Sequence, residues 1–260
     1  MQKLPSISDI GNNAWAALMF FTRLPLWRVY QPPRESYKAV VEFWPLAGWL
    51  TGGIMALTLY VSHLFLPYTI AVLLAIIARL LTTGALHEDG LADFCDGFGG
   101  GTDRQRILDI MKDSHIGTYG VVGLIAYFAL LFMSLVGLSP TKAVFLILAA
   151  DPFAKMLSSQ IVQMMPYART EEQAKARVVY RQISTLSAIL LTVQGLLPAL
   201  LFVLAVGVPH NWQWVVFVPC IVMYMLYRLM WHKLRGYTGD CCGAMCLLVE
   251  LSVYLAINIA

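Results

Sequence analysis

The residues of this sequence best suited to chemistry are aspartates at helical spacing. Segment 84–118 reads GALHEDGLADFCDGFGGGTDRQRILDIMKDSHIGT and holds seven of the chain's fifteen acidic residues. On one continuous helix, Asp89, Asp93 and Asp96 would share a face, where like charges repel one another. A bound cation removes that repulsion, and carboxylate oxygens suit hard ions such as Mg²⁺ or Mn²⁺. Because Mg²⁺ usually shares its coordination shell with phosphate oxygens, the pattern predicts a metal site that holds a diphosphate.

A glycine-rich turn and a second acidic stretch follow these aspartates. The glycines, which allow the backbone to approach a ligand closely, are Gly97, Gly99, Gly100 and Gly101. We expect Thr102 or Asp103 to cap a helix that begins near Arg104. On that helix Asp109 and Asp113 would lie one turn apart. The pattern predicts an acidic hairpin of two helices that holds metal between its arms, and the alternative is a solvated acidic loop.

Other polar residues could join this site. His87 and His115 flank the acidic stretch, and Asp240 could supply a further oxygen ligand or merely cap a turn. Three ionisable residues fall within apolar stretches, where they are either functional or paired internally; they are Arg79, Asp151 and Glu250. The basic residues that could contact phosphate, or only determine membrane topology, are Arg23, Arg34, Lys155, Arg169, Lys175, Arg177 and Arg181.

The composition is that of a protein embedded in a lipid bilayer. Of 260 residues, 59% are apolar and only 13% are charged, whereas soluble domains carry about 25% charged residues. The mean hydropathy is +0.69. A net charge of +3 without a basic run predicts no nucleic-acid partner. Five cysteines without a CxxC pair argue against a disulfide framework or a zinc site.

Seven apolar stretches are long enough to cross the hydrocarbon core of a membrane. They are residues 43–65, 67–86, 119–138, 141–164, 184–207, 212–232 and 241–260. A shorter apolar stretch at residues 14–21 predicts a short N-terminal helix that is interfacial or re-entrant. The sequence therefore predicts an all-α, polytopic transmembrane bundle of about seven spanning helices, which forms a single domain over residues 1–260.

The connections between these stretches predict the membrane topology. Tight and long connections alternate along the chain, so all the long polar segments should lie on one side of the membrane; these segments are residues 1–42, 87–118, 165–183 and 233–240. Sixteen of the eighteen lysines and arginines lie on or next to that side. The positive-inside rule then places the N-terminus and the acidic segment 84–118 in the cytoplasm.

The motifs of the chain, taken in order, resemble those of the cobalamin synthase family, membrane-bound adenosylcobinamide-GDP ribazoletransferases. Residues 87–101 are similar to the HxDGLAD…DG…GGG block of that family, and residues 112–117 to its KDSRIG block. Further matches lie at residues 21–25, 44–48 and 237–244, with Glu250 beyond. His115 stands where the family usually has arginine, and residues 170–172 replace a glycine-rich turn.

The resemblance implies a reaction that composition and spacing do not reveal. In this family, adenosylcobinamide-GDP is joined to α-ribazole or α-ribazole 5′-phosphate with Mg²⁺, releasing GMP and giving adenosylcobalamin or its 5′-phosphate. The resemblance also implies a multi-pass protein of the bacterial inner membrane with its active site on the cytoplasmic side, and it leaves a homo-oligomer open.

The site residues that we expect follow from the matching motifs. The expected metal ligands are Asp89, Asp93, Asp96, Asp113 and Asp240. The expected catalytic residues are His87, Asp89, Asp93 and Asp113, among which the sequence does not identify the general base. The expected substrate-binding residues are Arg23, Gly99, Gly100, Gly101, Lys112, Ser114 and His115.

Two other functions compete with this interpretation. A CDP-alcohol phosphotransferase also uses aspartates and metal within membrane helices, but its signature needs DGxxAR. Here Asp93 follows Ala92 directly and the arginine is absent. A divalent-cation transporter would need acidic residues deep within several spans, whereas most of the acidic residues here lie at one membrane edge.

Overall fold

The chain folds almost entirely into helices. The computed structural model describes residues 7–169, 180, 181 and 183–259. In chain order the α-helices are α1 Ile7–Phe21, α2 Trp44–His63, α3 Tyr68–Thr83, α4 Leu86–Gly100, α5 Arg104–Ile110, α6 Thr118–Val136, α7 Pro140–Ser159, α8 Ile161–Met164, α9 Thr185–Val206, α10 Trp212–Leu234 and α11 Gly239–Ala256. Two 3₁₀ helices, Leu26–Arg28 and Arg34–Phe43, connect α1 to α2. The all-α prediction is confirmed.

Six helical segments within the described residues are long and apolar enough to cross a membrane. They are Arg34–His63, Thr118–Val136, Pro140–Met164, Thr185–Val206, Trp212–Leu234 and Gly239–Ala256. A seventh candidate is the pair α3 and α4, which is bent by 90° at a short break. The predicted multi-pass helical bundle is therefore confirmed, and its second predicted span corresponds to this bent pair, which is either a broken span or a re-entrant loop.

The break between α3 and α4 consists of two residues in the left-handed region. Gly84 has φ of +64° and Ala85 has φ of +57°, a conformation that costs a non-glycine residue energy. Arg23 packs against the break, because a Cβ on Gly84 would lie 2.5 Å from its Nε. The Arg23 backbone N–H also donates to the Thr82 carbonyl at 2.7 Å. The second predicted span thus does not continue in a straight line into the acidic segment.

Opposite ends of the bundle carry the short and the long connections. The Asn211 side chain, at the start of α10, donates to the carbonyls of Ala256 and Ile257 at 3.1 Å each. Asn258 donates to the Ser134 carbonyl, near the end of α6, at 3.0 Å. The end of α11 therefore lies with the short connections, and its beginning lies with the long ones.

Charged residues inside the bundle are paired. Arg79 Nη1 donates to both carboxylate oxygens of Glu250, at 2.6 and 2.8 Å. Asp151 forms an ion pair with Lys155 one turn along α7, and it accepts a hydrogen bond from Thr51 at 2.5 Å. The alternative of an internal ion pair is thus confirmed for Arg79, Asp151 and Glu250.

Candidate active site

A pocket lies at the end of the bundle that carries the long connections. Its volume is about 120 Å³, and its ionisable lining residues include His87, Asp89, Arg169 and Asp240. The other lining residues are Phe20, Phe21, Trp44, Leu86, Tyr167, Tyr180, Gly239, Cys242, Gly243 and Cys246. Pockets for whole small molecules usually measure about 300–1,000 Å³. This pocket is therefore too small for a whole ligand of that size and accommodates only a part of one.

Two glycines bring α4 close to the start of α11. A Cβ on Gly90 would lie 3.1 Å from the Asp240 Cα, and a Cβ on Gly243 would lie 3.3 Å from the His87 Cα. Any larger residue at these positions would push the helices apart, because the obstacles are backbone atoms. Asp89 and Asp240, which are 151 positions apart in the sequence, line the same pocket because of this close approach.

A buried arginine lies opposite Asp240. The Arg169 Nη1 atom is 3.8 Å from Asp240 Oδ2, and less than a tenth of either side chain is exposed. Arg169 Nη2 also donates to the Leu108 carbonyl on α5 at 3.0 Å. A guanidinium group in this position can orient the carboxylate or neutralise a phosphate of a ligand.

A short backbone pairing holds the segment that carries Arg169. The Ala168 N–H donates to the Tyr237 carbonyl at 2.8 Å, and the Tyr237 N–H donates to the Pro166 carbonyl at 3.1 Å. Burial raises the pKa of Tyr167 to about 12. At neutral pH this tyrosine is therefore a neutral phenol in the pocket lining, able to donate a hydrogen bond.

Arg104 fastens this segment from outside the pocket. Its Nε donates to the Leu234 carbonyl and its Nη2 to the Ala168 carbonyl, both at 2.8 Å. The first bond satisfies one of the last carbonyls of α10, which have no partner within that helix. The sequence predicts only that Arg104 begins a helix. It does not predict this contact, because no local pattern pairs residues that are 64 and 130 positions apart.

His87 is buried beside the acidic residues. Its ring stacks on Phe21 with centroids 5.4 Å apart and planes 10° apart. Only 4% of the residue is exposed, and its Nε2 atom finds no hydrogen-bond partner among the described residues. Buried polar atoms normally have a partner. An orphaned imidazole nitrogen in a pocket lining can bind a ligand or accept its proton.

The three aspartates of α4 have different environments. Asp89 is exposed and lines the pocket, and Asp93 is half-buried one turn later. Asp96 is buried, and its carboxylate accepts hydrogen bonds from the N–H groups of Gly117 and Gly120 at 2.7 and 2.8 Å. Both Asp96 oxygens therefore cap the start of α6, where the partial positive charge of the helix favours an anion.

The predicted helical hairpin is present, but Asp113 lies outside it. Asp103 caps α5 by accepting a hydrogen bond from the Arg106 N–H at 3.0 Å, as predicted. The helix ends at Ile110. The Asp113 N–H still donates to the Asp109 carbonyl at 3.2 Å, so Asp113 lies one turn after Asp109, as expected, but just beyond the end of α5. Asp113 accepts hydrogen bonds from the His115 backbone at 3.0 Å and from its ring at 2.7 Å, which lowers the pKa of Asp113. Its neighbours on this exposed loop are Lys112, Ser114 and His115.

The structure thus distributes the expected metal ligands over several places. Across the described parts of the chain, no group of three or more histidine, cysteine, aspartate or glutamate side chains is arranged to hold a metal ion. Asp89 and Asp240 share the pocket, whereas Asp96 caps a helix and Asp113 pairs with His115.

The glycines expected to contact substrate lie against protein side chains. A Cβ on Gly99 would lie 2.6 Å from the Tyr119 ring, and a Cβ on Gly100 would lie 3.6 Å from Ile110. A Cβ on Gly101 would collide with Ile107. Close packing is thus one reason for glycine at positions 99 and 101, whereas a Cβ on Gly100 would make only an ordinary contact. Their contact with substrate, like that of Arg23, stays a prediction.

The other basic candidates have varied surroundings. Lys155 is paired with Asp151 inside the bundle, and Arg181 pairs with Glu42 at 2.8 Å. Arg34 is exposed. Lys175 and Arg177 lie outside the described residues. Arg169 is therefore the member of that group found in the pocket lining.

Comparisons with known proteins agree with the motifs. Residues 13–258 match the sequence model of the family described as cobalamin-5-phosphate synthase. A relative from Leptospira interrogans is 32% identical over 98% of this chain and 97% of its own length. Relatives from Leptothrix cholodnii and Azorhizobium caulinodans are 34% and 35% identical, over 92% and 97% of this chain and 92% and 96% of their own. All three are named adenosylcobinamide-GDP ribazoletransferase. No solved structure matches the chain. The chain belongs to the cobalamin-5-phosphate synthase family.

Proposed function

We propose that this membrane protein is an adenosylcobinamide-GDP ribazoletransferase. It transfers the adenosylcobinamide phosphate moiety of adenosylcobinamide-GDP to α-ribazole or α-ribazole 5′-phosphate, and GMP is released. The product is adenosylcobalamin or its 5′-phosphate. The observation that carries the proposal is the pocket in which Asp89 and Asp240 lie with Arg169 and His87, in a chain of this family.

The reaction exchanges one phosphorus–oxygen bond for another. The ribazole 3′-hydroxyl oxygen bonds to the phosphorus on the cobinamide side, the bond from that phosphorus to the bridging oxygen breaks, and GMP leaves with that oxygen. Such transfers depend on positioning and on neutralising phosphate charge. Arg169 supplies a positive charge beside Asp240. The hydroxyl proton passes to a base in the pocket lining, either the Asp89 carboxylate or the unpartnered Nε2 of His87.

The carboxylates of the pocket fit a magnesium ion. Mg²⁺ usually takes one or two carboxylates and completes its shell with water and phosphate oxygens. Asp89 and Asp240 form such a pair in one pocket lining, and these residues would hold the ion. When bound, Mg²⁺ neutralises charge on the diphosphate oxygens. Asp96 is not part of this set, because both of its oxygens accept hydrogen bonds from α6.

The pocket would face the cytoplasm of a bacterial cell. It lies at the end of the bundle where α4 and α11 begin, which is the end with the long, basic connections. The positive-inside rule assigns that end to the cytoplasmic side of the inner membrane. Because the pocket holds only about 120 Å³, the bulky corrinoid would remain outside it, at the membrane edge, while the diphosphate enters.

GMP release tests the proposal directly. Membranes carrying the protein should form GMP from adenosylcobinamide-GDP only when α-ribazole or its phosphate is added. Asp89→Asn or Asp240→Asn should lower the rate by about 100-fold or more. The matched control is Asp109→Asn, since this exposed aspartate accepts a hydrogen bond from Gln105 on the surface of α5. No GMP from the wild-type protein, or wild-type rates in both pocket variants, would overturn the proposal.

A further inference from the structure

The exposed side of α10 carries a ladder of aromatic and cationic side chains near its C-terminal end. These residues, here called the α10 ladder, line an open cleft of about 500 Å³ and are Tyr224, Tyr227, Arg228, Trp231, His232 and Arg235. The rings of Tyr224 and Tyr227 stack with centroids 6.3 Å apart, and those of Tyr227 and Trp231 with centroids 6.5 Å apart. The Arg235 guanidinium lies 5.7 Å from the centre of the Trp231 ring.

Among the residues that the structure describes, this face of α10 has no acidic partner for its arginines. Only 11% of the most apolar stretch of the helix is buried, and α10 contains no acidic residue. Within the described ranges, no acidic side chain forms an ion pair with Arg228, His232 or Arg235. The described part of the chain therefore does not neutralise the positive charge of the α10 ladder, which lies on an exposed helix face.

The position of Arg228 along α10 indicates that its charge would lie within the depth of the membrane. Trp212 and Trp214 are about half exposed at the other end of α10, where tryptophans typically mark a membrane interface. Arg228 lies about 24 Å from Trp212 along the helix axis, within the roughly 30 Å of the hydrocarbon core. A lipid-facing arginine at that depth is costly unless its side chain reaches the headgroup region. Its described partner is the Tyr224 hydroxyl at 3.4 Å, which cannot neutralise it.

We propose that the α10 ladder binds the phosphate headgroup of an anionic phospholipid in the adjacent leaflet. Guanidinium groups recognise phosphate through paired hydrogen bonds, so Arg228 and Arg235 contact the phosphate while His232 lies beside it. The aromatic rings pack against the glycerol and the upper acyl chain. Charge complementarity selects an anionic lipid, because a zwitterionic headgroup also brings an ammonium group to these arginines.

A lipid at this place would bear on the wall of the pocket. Arg235 ends α10 in the left-handed region, with φ of +53°. The residue before it, Leu234, accepts a hydrogen bond from Arg104, and Tyr237 pairs with Ala168. The bound lipid thus stabilises the end of α10 to which the Arg169 segment is fastened. Lipid binding itself does not depend on the proposed reaction.

Lipid retention on the purified protein tests the proposal. The protein is reconstituted in nanodiscs of phosphatidylcholine with phosphatidylglycerol, and the lipids that remain bound in native mass spectrometry are counted. Wild-type protein should retain phosphatidylglycerol preferentially, and Arg228→Gln/Arg235→Gln should weaken that preference by about 30-fold. The matched control, Arg28→Gln/Arg106→Gln, removes two exposed arginines elsewhere and should behave as wild type.

Several outcomes would overturn the proposal. One such outcome is that the wild-type protein shows no preference for phosphatidylglycerol. Another is that the control variant loses as much of this preference as the α10 variant, which would indicate general attraction to a negative surface. Displacement by millimolar inorganic phosphate would assign the α10 ladder to a soluble phosphate compound. A change from dimer to monomer in the variant, without any lipid preference in the wild type, would assign it to a second copy of the chain. Titration of phosphatidylglycerol into wild-type protein, followed by thermal unfolding, checks binding without any variant.

Discussion

Replacing Asp96 with asparagine tests whether its carboxylate caps a helix or binds a metal ion. The sequence pattern places Asp96 with Asp89 and Asp93 as a ligand for Mg²⁺, whereas the structure shows its carboxylate accepting hydrogen bonds from Gly117 and Gly120. Asparagine has nearly the same shape but only one oxygen. Asp96→Asn therefore removes a negative charge from the start of α6 and turns an NH₂ group toward one of two backbone N–H donors.

The expected loss of stability follows from these contacts. One hydrogen bond to a charged group contributes about 1.5–3 kcal/mol. An anion at a helix N-terminus contributes about 0.3–1 kcal/mol more. Asp96 is 8% exposed, so water does not replace the lost acceptor. We expect Asp96→Asn to lower the free energy of unfolding by about 2–4 kcal/mol, which for a chain of this size corresponds to about 4–16 °C in Tm.

Thermal unfolding in detergent and GMP release, measured on the same preparations, provide the assay. Asp96→Asn should unfold at a lower temperature, yet the fraction that remains folded should show the same Mg²⁺ requirement as the wild type. Asp89→Asn should show the opposite behaviour, with an unchanged Tm and little turnover. Asp109→Asn on the exposed side of α5 should change neither quantity.

One result would refute this reasoning. If Asp96→Asn unfolded at the wild-type temperature but needed a several-fold higher Mg²⁺ concentration for turnover, Asp96 would be a metal ligand. The hydrogen bonds to Gly117 and Gly120 would then be secondary, and the metal set expected from the sequence would stand.

Three further predictions concern packing around the site. Arg79→Met should lower the free energy of unfolding by about 3–5 kcal/mol, because it leaves the Glu250 carboxylate buried without its partner. Adding Glu250→Met should restore part of that loss in thermal unfolding, because Glu88, 4.0 Å from Arg79, still lacks its cation; additive losses would contradict the pairing. Gly243→Val should reduce GMP release strongly, because a Cβ at this position would lie 3.3 Å from the backbone of α4. The control Gly53→Val should not reduce GMP release, because a Cβ there would meet open space. Equal effects of the two substitutions would argue against the close approach of α4 and α11. Arg104→Lys keeps the charge but loses the two-carbonyl contact, so kcat/KM should fall by about tenfold; wild-type kinetics would contradict a positioning role.

The fold could be predicted where apolar length alone decides the structure. A stretch such as residues 212–232 has to form a helix in lipid, because no water is present to satisfy its backbone groups. The break after α3 could not be predicted in the same way. Ala85 adopts a left-handed conformation that its residue type does not favour, and the packing of Arg23 on Gly84 that accompanies it joins distant parts of the sequence.

The site could be predicted where chemistry lies within one element. The spacing of Asp89 and Asp93 is a local property of the sequence, and both residues lie on α4 as that spacing predicts. The pairing of Arg169 with Asp240 joins residues 71 positions apart, which no local spacing encodes. The sequence does contain a pattern related to the cap formed by Asp96, since Gly117 and Gly120 lie at the start of the next apolar stretch. This pattern is compatible with an anion at a helix N-terminus, but it does not identify which carboxylate supplies the charge.

The arrangement of buried charge also bears on the cation-transport alternative. A transport path needs ionisable groups that can exchange partners along the bundle. Glu250 is instead held by Arg79 and by the Tyr254 hydroxyl at 2.7 Å, and Asp151 is held by Lys155. Because these ion pairs occupy Glu250 and Asp151, neither carboxylate is available to a cation inside the bundle. The acidic residues that can act on a ligand are those at the end of the bundle.

The bend between α3 and α4 explains how an apolar bundle supports an acidic site. If α4 continued straight from α3, its carboxylates would extend away from the bundle into water. After a turn of 90°, α4 instead lies across the start of α11. Glu88 then comes within 4.0 Å of the buried Arg79, which offsets part of the cost of bringing a carboxylate into the protein. The next residue, Asp89, lies beside Asp240 in the pocket. The bend between α3 and α4 thus holds Glu88 near the buried Arg79 and places Asp89 in the pocket lining. The geometry of this break, more than the number of acidic residues, forms the candidate site.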